Sequence, residues 1–282
     1  MFGTKSYQER ARRALPILVR QARSKKPIYY EALANELSMP NPRNLNFVLG
    51  SVGATLNELA AKKHWNEEIP HIQSLVINQR ERLPGYGFDG FLADKLANYQ
   101  NLTRTEKRAY LDGYWIDIFA YPYWSDVLEE CGLEDTDGDA SAVIERGKRG
   151  AGGGGGEGPE HEALKLFIRD NPSSVGLPLN FPPGTAETPL PSGDRVDVLF
   201  SNPEKMLGVE VKSSISNDAD LIRGLFQCVK YRAVMKAERG FKSAIYSVDA
   251  VLAIGKPLPH QLHALRNSLG IRVIEFDQTR PL

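Results

Sequence analysis

A run of five consecutive glycines at residues 152–156 most limits how this chain can fold. Glycine loses more conformational entropy on folding than any other residue, so such a run does not hold regular structure. An acidic, apolar-poor stretch from Glu134 precedes the run. We therefore predict a flexible linker over residues 131–158 between two domains, residues 1–130 and 159–282. A phosphate-binding glycine loop is the alternative, but no Gly-Lys-Ser/Thr follows the run.

The composition is that of an ordinary globular protein, with 41% hydrophobic and 25% charged residues among 282. No apolar run approaches the roughly 18 residues of a membrane span, and the start of the chain lacks the apolar core of a signal peptide. We expect a cytoplasmic protein that does not contact membranes. Cys131 and Cys228 lack metal-ligand spacing, which argues against a disulfide framework or a cysteine zinc site.

Two strand-like segments, residues 193–200 and 207–212, alternate apolar and polar side chains and are separated by turn-forming residues. If the segments fold back on each other, Asp197 lies opposite Glu210, and Lys212 shares the face of Glu210. Like charges that face each other destabilise a sheet, unless a divalent cation lies between them. Carboxylate oxygens suit magnesium or manganese. The alternative is structural, with Asp197 capping a turn and Glu210 facing solvent at a sheet edge.

This spacing resembles the core signature of the PD-(D/E)xK nuclease superfamily, an acid followed on the next strand by an acid, any residue and lysine. Here Asp197 is followed by Glu210-Val211-Lys212. The resemblance covers roughly residues 157–282 and implies an α/β domain with a mixed central sheet flanked by helices. It also implies a magnesium-dependent deoxyribonuclease, in which Asp197, Glu210, the Val211 carbonyl and a helix acid hold the metal and Lys212 acts in catalysis.

Two predicted helices flank these strands. The first begins near Glu160 and Glu162, where the helix dipole favours acids. The resemblance implies that one of them completes the metal site, and we expect Glu160. The second helix, over about residues 219–238, carries Gln227 and Tyr231 on one face. This Gln-x-x-x-Tyr is similar to the variant of the RecB-like nucleases and implies a supporting role in catalysis, although the two could be ordinary surface and core residues.

The N-terminal half is predicted to be a mainly α domain of the winged helix-turn-helix type with a helical extension. The expected elements are a helix over residues 6–23 that Pro16 kinks or interrupts, a short helix within 28–37, a helix from Pro42 to about Ala61, and a strand over 69–78 that leads into a basic wing at 79–82. Residues 88–130 are rich in aromatics, which we expect to be mostly core. An exposed pocket for a flipped base is the alternative.

Polar residues at the start of the third helix and in the wing are candidates for contacting double-stranded DNA, where arginine reads guanine and asparagine reads adenine. These candidates are Asn41, Arg43, Asn44, Asn46, Arg80 and Arg82. Basic residues outnumber acidic ones in residues 1–120, whereas acidic residues dominate 121–160, so the zero net charge does not argue against DNA.

The layout is also similar to the DNA-binding module of alkyltransferase-like proteins, which carry a Pro-x-His-x-x-Val-x-Asn stretch. Here His71 follows Pro70 directly and the reactive cysteine is absent, so the similarity implies DNA binding alone. A helical protein-interaction module is the alternative reading of this domain.

Together these features predict a metal-dependent DNA endonuclease of the restriction or phage-defence type. A homodimer would let two single centres cut both strands of a duplex. Two alternatives stay open: a repair or recombination nuclease that acts on ends or flaps, and a DNA-binding regulator whose nuclease-like domain is inert.

Overall fold

The computed structural model describes residues 2–62, 65, 68–88, 99–135, 158–243 and 245–276. The chain divides into two compact units, Met1–Ala140 and Ser141–Leu282. The glycine run and most of the predicted linker lie outside the described residues. The described start of that linker belongs to the first unit, because Leu133 packs against its core and Asp135 forms an ion pair with Arg23.

The first unit is mainly helical. Its helices are α1 (Ser6–Arg23), α2 (Tyr30–Glu36), α3 (Leu45–Ala60), α4 (Arg104–Ala120) and α5 (Trp124–Glu130). Two short strands, β1 (Ile28–Tyr29) and β2 (Val76–Ile77), pair in parallel. Short 3-10 turns lie at Pro42–Asn44, Ile72–Leu75, Tyr86–Phe88 and Tyr99–Asn101. The core lies between α1 and α3, where Leu15, Leu18, Leu45 and Leu56 are buried.

Several N-terminal predictions need correction. Pro16 does not interrupt the first helix, which continues from Ser6 to Arg23. The strand predicted over residues 69–78 is wrong except at β2, because a 3-10 turn takes up Ile72–Leu75. A wing is an antiparallel hairpin, whereas β2 pairs in parallel with β1, so the described residues of this unit contain no such hairpin.

The aromatic segment contributes mainly to the core, as expected. Trp115, Tyr121 and Trp124 are each at most 9% exposed, while Tyr123 is 38% exposed. Burying an aromatic side chain removes a large apolar area from water, so these rings stabilise the packing of α4 and α5 against the rest of the unit. The described aromatic residues of this segment therefore mainly stabilise the fold.

The second unit is an α/β fold, as predicted. Its elements are α6 (Pro159–Asp170), β3 (Thr185–Pro189), β4 (Arg195–Ser201), β5 (Lys205–Lys212), α7 (Asp218–Phe241), β6 (Ser247–Ile254), α8 (His263–Leu269) and β7 (Arg272–Glu275). The strand order is β3-β4-β5-β6-β7, with the first two pairings antiparallel and the last two parallel. The sheet is therefore mixed.

Local signals explain why the central strands and α7 begin where they do. The Asn202 side chain accepts hydrogen bonds from the Glu204 and Lys205 amides at 2.9 and 2.7 Å, which closes the turn between β4 and β5. Asn217 and Asp220 form a capping box at the start of α7. Two apolar clusters cover the sheet, one formed with α6 and one with α7.

A membrane-crossing helix would need to be longer and more apolar than any helix in the described part of the chain.

Candidate functional site

The two central antiparallel strands separate where the predicted acids lie. Pairing of β4 with β5 runs from Ser201 opposite Met206 to Val198 opposite Val209. The same register places Asp197 opposite Glu210, which confirms the predicted fold-back. The hydrogen-bonded pairing of β4 with β5 ends before Asp197 and Glu210.

Beyond that point the Asp197 carboxylate replaces the backbone of β4 as the partner of β5. Its Oδ2 accepts a hydrogen bond from the Val211 amide at 2.6 Å. The N–H and C=O of one strand residue point to the same side of the strand. The Val211 carbonyl therefore also faces the gap between β4 and β5, where it is not used by the ladder with β4.

Glu210 is a buried carboxylate whose two oxygens have different partners. Its side chain is 3% exposed; Oε1 lies 2.5 Å from the Lys212 Nζ, and Oε2 lies 2.9 Å from the Tyr231 hydroxyl, which donates to it. Burial and the nearby Asp197 charge raise the pKa of Glu210 to about 7, against the opposing influence of Lys212 and Tyr231. This carboxylate is therefore poised between its protonated and ionised forms near neutral pH.

The helix residue that reaches this gap is His161. Its Nε2 lies 3.1 Å from the Val211 carbonyl and 3.7 Å from Asp197 Oδ2. The interaction with the nearby Asp197 carboxylate is the main reason that the pKa of His161 lies above its ordinary value. The sequence carries a signal for this placement, since His161 shares a helical face with the buried Leu164 and Ile168, three and seven residues later.

The helix acids are engaged elsewhere. Glu160 Oε2 accepts a hydrogen bond from the Ser214 hydroxyl at 2.7 Å, and Glu162 pairs with Lys165 at 2.7 Å. No group of three or more His, Cys, Asp or Glu side chains in the described ranges is arranged to hold a metal ion. The expected grouping of Glu160 with Asp197 and Glu210 is therefore not formed. The oxygen ligands of the expected set that do lie together are Asp197, Glu210 and the Val211 carbonyl.

The Gln-x-x-x-Tyr pair on α7 connects to the site through Tyr231. The Gln227 Nε2 donates to the Tyr231 hydroxyl at 3.4 Å, and that hydroxyl lies 2.8 Å from the Arg195 carbonyl as well as near Glu210. Burial is the main reason that the pKa of Tyr231 lies far above its ordinary value, so the hydroxyl stays a donor. Gln227 and Tyr231 thus position Glu210 from the α7 side.

Replacing Tyr231 by phenylalanine tests this positioning role. We expect Tyr231→Phe to lower the free energy of unfolding by about 1–3 kcal/mol, because the Arg195 carbonyl and Glu210 Oε2 lose the single hydroxyl donor that they share. Urea unfolding at neutral pH measures this change. Tyr246→Phe, at a half-buried tyrosine in the same unit, is the control and should change stability little. Equal stability of wild type and Tyr231→Phe would contradict the role.

The candidate DNA contacts in the first unit are exposed. At the start of α3 these are Asn41, Arg43, Asn44 and Asn46, all exposed. The Asn41 Oδ1 already accepts a hydrogen bond from the Arg43 amide at 3.0 Å, so its side chain helps to shape the turn. The side chains that remain for a partner are therefore chiefly those of Arg43, Asn44 and Asn46.

The predicted wing residues Arg80 and Arg82 lie in a turn that α4 holds. The Arg104 side chain donates to the Arg80 and Glu81 carbonyls at 2.7 and 3.2 Å, and Arg108 donates to the Arg82 carbonyl at 2.7 Å. Arg104 and Arg108 could not be identified from the sequence, because a contact between residues more than twenty positions apart leaves no local pattern. Four arginines therefore concentrate positive charge around this exposed turn.

Comparison with protein-family models, curated proteins and solved structures returns no match for this chain.

Proposed function

We propose that this protein is a magnesium-dependent DNA endonuclease of the restriction or phage-defence type. The observation that carries the proposal is the convergence of Asp197, Glu210, Lys212 and the Val211 carbonyl where β4 and β5 separate. A buried carboxylate whose pKa is raised beside a second acid is a common property of functional sites.

The oxygen atoms at this site fit a hard divalent cation. Asp197 and Glu210 supply carboxylates, and the Val211 carbonyl faces the same gap, so these three residues would hold Mg²⁺, with Mn²⁺ as a substitute. His161 Nε2 donates to that carbonyl at 3.1 Å and would help to position it. When bound, the cation would polarise the scissile phosphate and acidify a water molecule.

The protein side chains would supply the rest of the chemistry. The Lys212 Nζ lies beside Glu210 and would stabilise the negative charge that develops on the phosphate. Tyr231 holds the Glu210 carboxylate in place, and Gln227 holds Tyr231. In the first unit, exposed Arg43, Asn44, Asn46, Arg80 and Arg82 would bind duplex DNA.

Supercoiled plasmid tests the proposal directly. We expect the full chain to cut closed circular DNA with Mg²⁺ or Mn²⁺ and to leave it intact with EDTA. Closed circles have no ends or flaps, so their cleavage separates this function from a nuclease that needs ends. No cutting of circular or linear DNA across a range of divalent cations would overturn the proposal.

The same assay tests the expected homodimer. One catalytic centre cannot hold both antiparallel strands at once, so a single chain should nick and a symmetric pair should linearise. We expect open circles at low protein concentration and linear plasmid as the concentration rises. A constant ratio of linear to nicked product per enzyme across a dilution series would show that one chain cuts both strands.

The rate should depend on pH through Glu210. The carboxylate must lose its proton to hold a cation, and its pKa is about 7. Protonation of His161 at low pH also opposes Mg²⁺ binding, because it adds a positive charge beside the site. Below pH 7 the apparent Mg²⁺ affinity should therefore fall by about tenfold or more for each pH unit, and above it the affinity should level off.

Initial nicking rates measured against Mg²⁺ concentration, from about pH 6 to about pH 8, check this dependence. Tyr231→Phe should shift the transition to higher pH, because the lost hydrogen bond had lowered the Glu210 pKa. A half-saturating Mg²⁺ concentration that does not change with pH would contradict the assignment of Glu210 as a ligand.

A DNA-binding protein with an inert second unit is the second candidate function. It is favoured by the hydrogen bonds of Glu210, whose two oxygens are already satisfied by Lys212 and Tyr231 without a metal. Salt-sensitive duplex binding without cleavage under any divalent cation would establish this function instead.

A further inference from the structure

A cleft of about 620 Å³ lies in the first unit, beside the start of α3. Asn41 and Arg43 line it at the start of α3, and Gln73 lines it from the 3-10 turn before β2. Tyr30 and Tyr86 contribute aromatic rings. This volume lies within the range of small-molecule sites, and a single nucleotide would fit in it.

Gln73 is a buried polar residue with an unsatisfied side chain among the described residues. It is 3% exposed, and neither its Oε1 nor its Nε2 has a hydrogen-bond partner in the described part of the chain. Buried amides are nearly always paired, so an unpaired one on a cleft wall indicates a partner other than the described residues. An amide presents an acceptor beside a donor, the pattern that adenine matches with its N7 and its N6 amino group.

The aromatic residues of the cleft add surfaces for stacking. The Tyr30 hydroxyl accepts a hydrogen bond from the Gly85 amide at 3.0 Å, which holds its ring in place. Tyr86 is 88% exposed. Exposed aromatic rings are stacking partners for bases, and a base bound between a ring and an amide gains both shape and polar recognition.

We propose that this cleft binds a single nucleobase, with the Gln73 amide reading an adenine-type edge. The same chemistry could be presented by a base extruded from a duplex or by a free nucleotide. The inference rests on the proposed function only where the base is extruded from duplex DNA. Binding of the base needs no metal.

Gly50 allows the cleft to be blocked without changing a polar group. It lines the cleft from α3, and a Cβ added to it would meet nothing within 4 Å. Gly50→Leu should fill part of the cleft, and because glycine is a poor helix former the change should not destabilise α3. Gly113 in α4 is the matched control, since it is exposed, meets nothing within 4 Å and does not line the cleft.

The test measures binding of the full chain in EDTA, so that failure of cleavage does not affect it. Fluorescence anisotropy compares a fully paired duplex with one that carries an adenine opposite an abasic site, and deoxyadenosine 5′-monophosphate competes separately. An unpaired base costs less free energy to extrude than a paired one. The wild type and Gly113→Leu should therefore bind the abasic duplex about tenfold tighter, or more, than the fully paired duplex. Gly50→Leu should lose this preference.

Gln73→Leu separates reading of the base from a structural role. Because an apolar residue replaces an unsatisfied buried amide, the variant should melt at a higher temperature than wild type while its preference for the abasic duplex falls by about tenfold. A second outcome is that the free nucleotide competes, that Gly50→Leu abolishes this competition, and that the abasic duplex is not preferred. This outcome would support the cleft as a site for a free nucleotide. Equal binding of both duplexes and no competition, or Gly50→Leu behaving as wild type, would overturn the inference.

Discussion

Lys212→Ala is expected to lower the rate of plasmid cleavage by about a thousandfold, with duplex binding unchanged. The Lys212 Nζ lies 2.5 Å from the buried Glu210 carboxylate, and in the proposed mechanism its charge would stabilise the phosphate. Its loss also removes an interaction that lowers the pKa of Glu210, so metal binding at neutral pH weakens. Single-turnover nicking rates and anisotropy of a labelled duplex measure the two properties separately.

Two further variants make the result on Lys212 interpretable. Lys212→Gln keeps a hydrogen-bond donor beside Glu210 without the charge, and it should be as inactive as Lys212→Ala if the charge is what matters. Lys230→Ala removes a lysine of the same unit that pairs at the surface with Asp194, and it should cut as wild type. Normal magnesium-dependent cleavage by both Lys212 variants would show that Lys212 is not catalytic.

Asp197→Asn is expected to reduce cleavage by a similar factor, about a thousandfold, while leaving the strand geometry in place. The asparagine carbonyl can still accept the Val211 amide, but the carboxylate charge is lost. The same change should return the pKa of His161 towards its ordinary value, since the interaction with the Asp197 carboxylate is the main cause of its elevation. With five histidines in the chain, NMR titration of their ring protons can follow this shift.

Asp194→Asn is the matched control for Asp197. Asp194 precedes the same strand and pairs at the surface with Lys230, so its loss should change neither cleavage nor the pKa of His161. An unchanged His161 titration in Asp197→Asn would mean that the two side chains do not interact in solution. Full activity of that variant would remove Asp197 from the metal site.

The parts of the fold that could be predicted were those with a local periodic signal. Alternation over β4 and β5, with turn-forming residues between them, predicted both strands and placed Asp197 opposite Glu210. The helix predicted over residues 219–238 is α7, and its capping residue Asn217 marks its start in the sequence. These signals depend on neighbouring residues alone, so no tertiary information was needed.

Apart from the uninterrupted helix at Pro16, the failed predictions depended on contacts between distant residues. The segment predicted as a strand over residues 69–78 mostly forms a 3-10 turn, since only Val76 and Ile77 find a partner strand. Glu160 was expected at the metal site, but acids are favoured at the start of any helix and do not show which side chain faces the sheet. The way that α6 packs against the sheet places His161, not Glu160, in the gap. Gln73 had no local signal at all.

By itself, the sequence determined the α/β character of the second unit, its central strand pair and the residue types that meet there, because side-chain periodicity and turn chemistry are local properties. Only the tertiary structure decided where β4 and β5 separate, which side chain of α6 enters the gap, and that Arg104 and Arg108 hold the exposed turn. Those outcomes depend on how helices and strands pack across long sequence separations, where many arrangements share one local pattern.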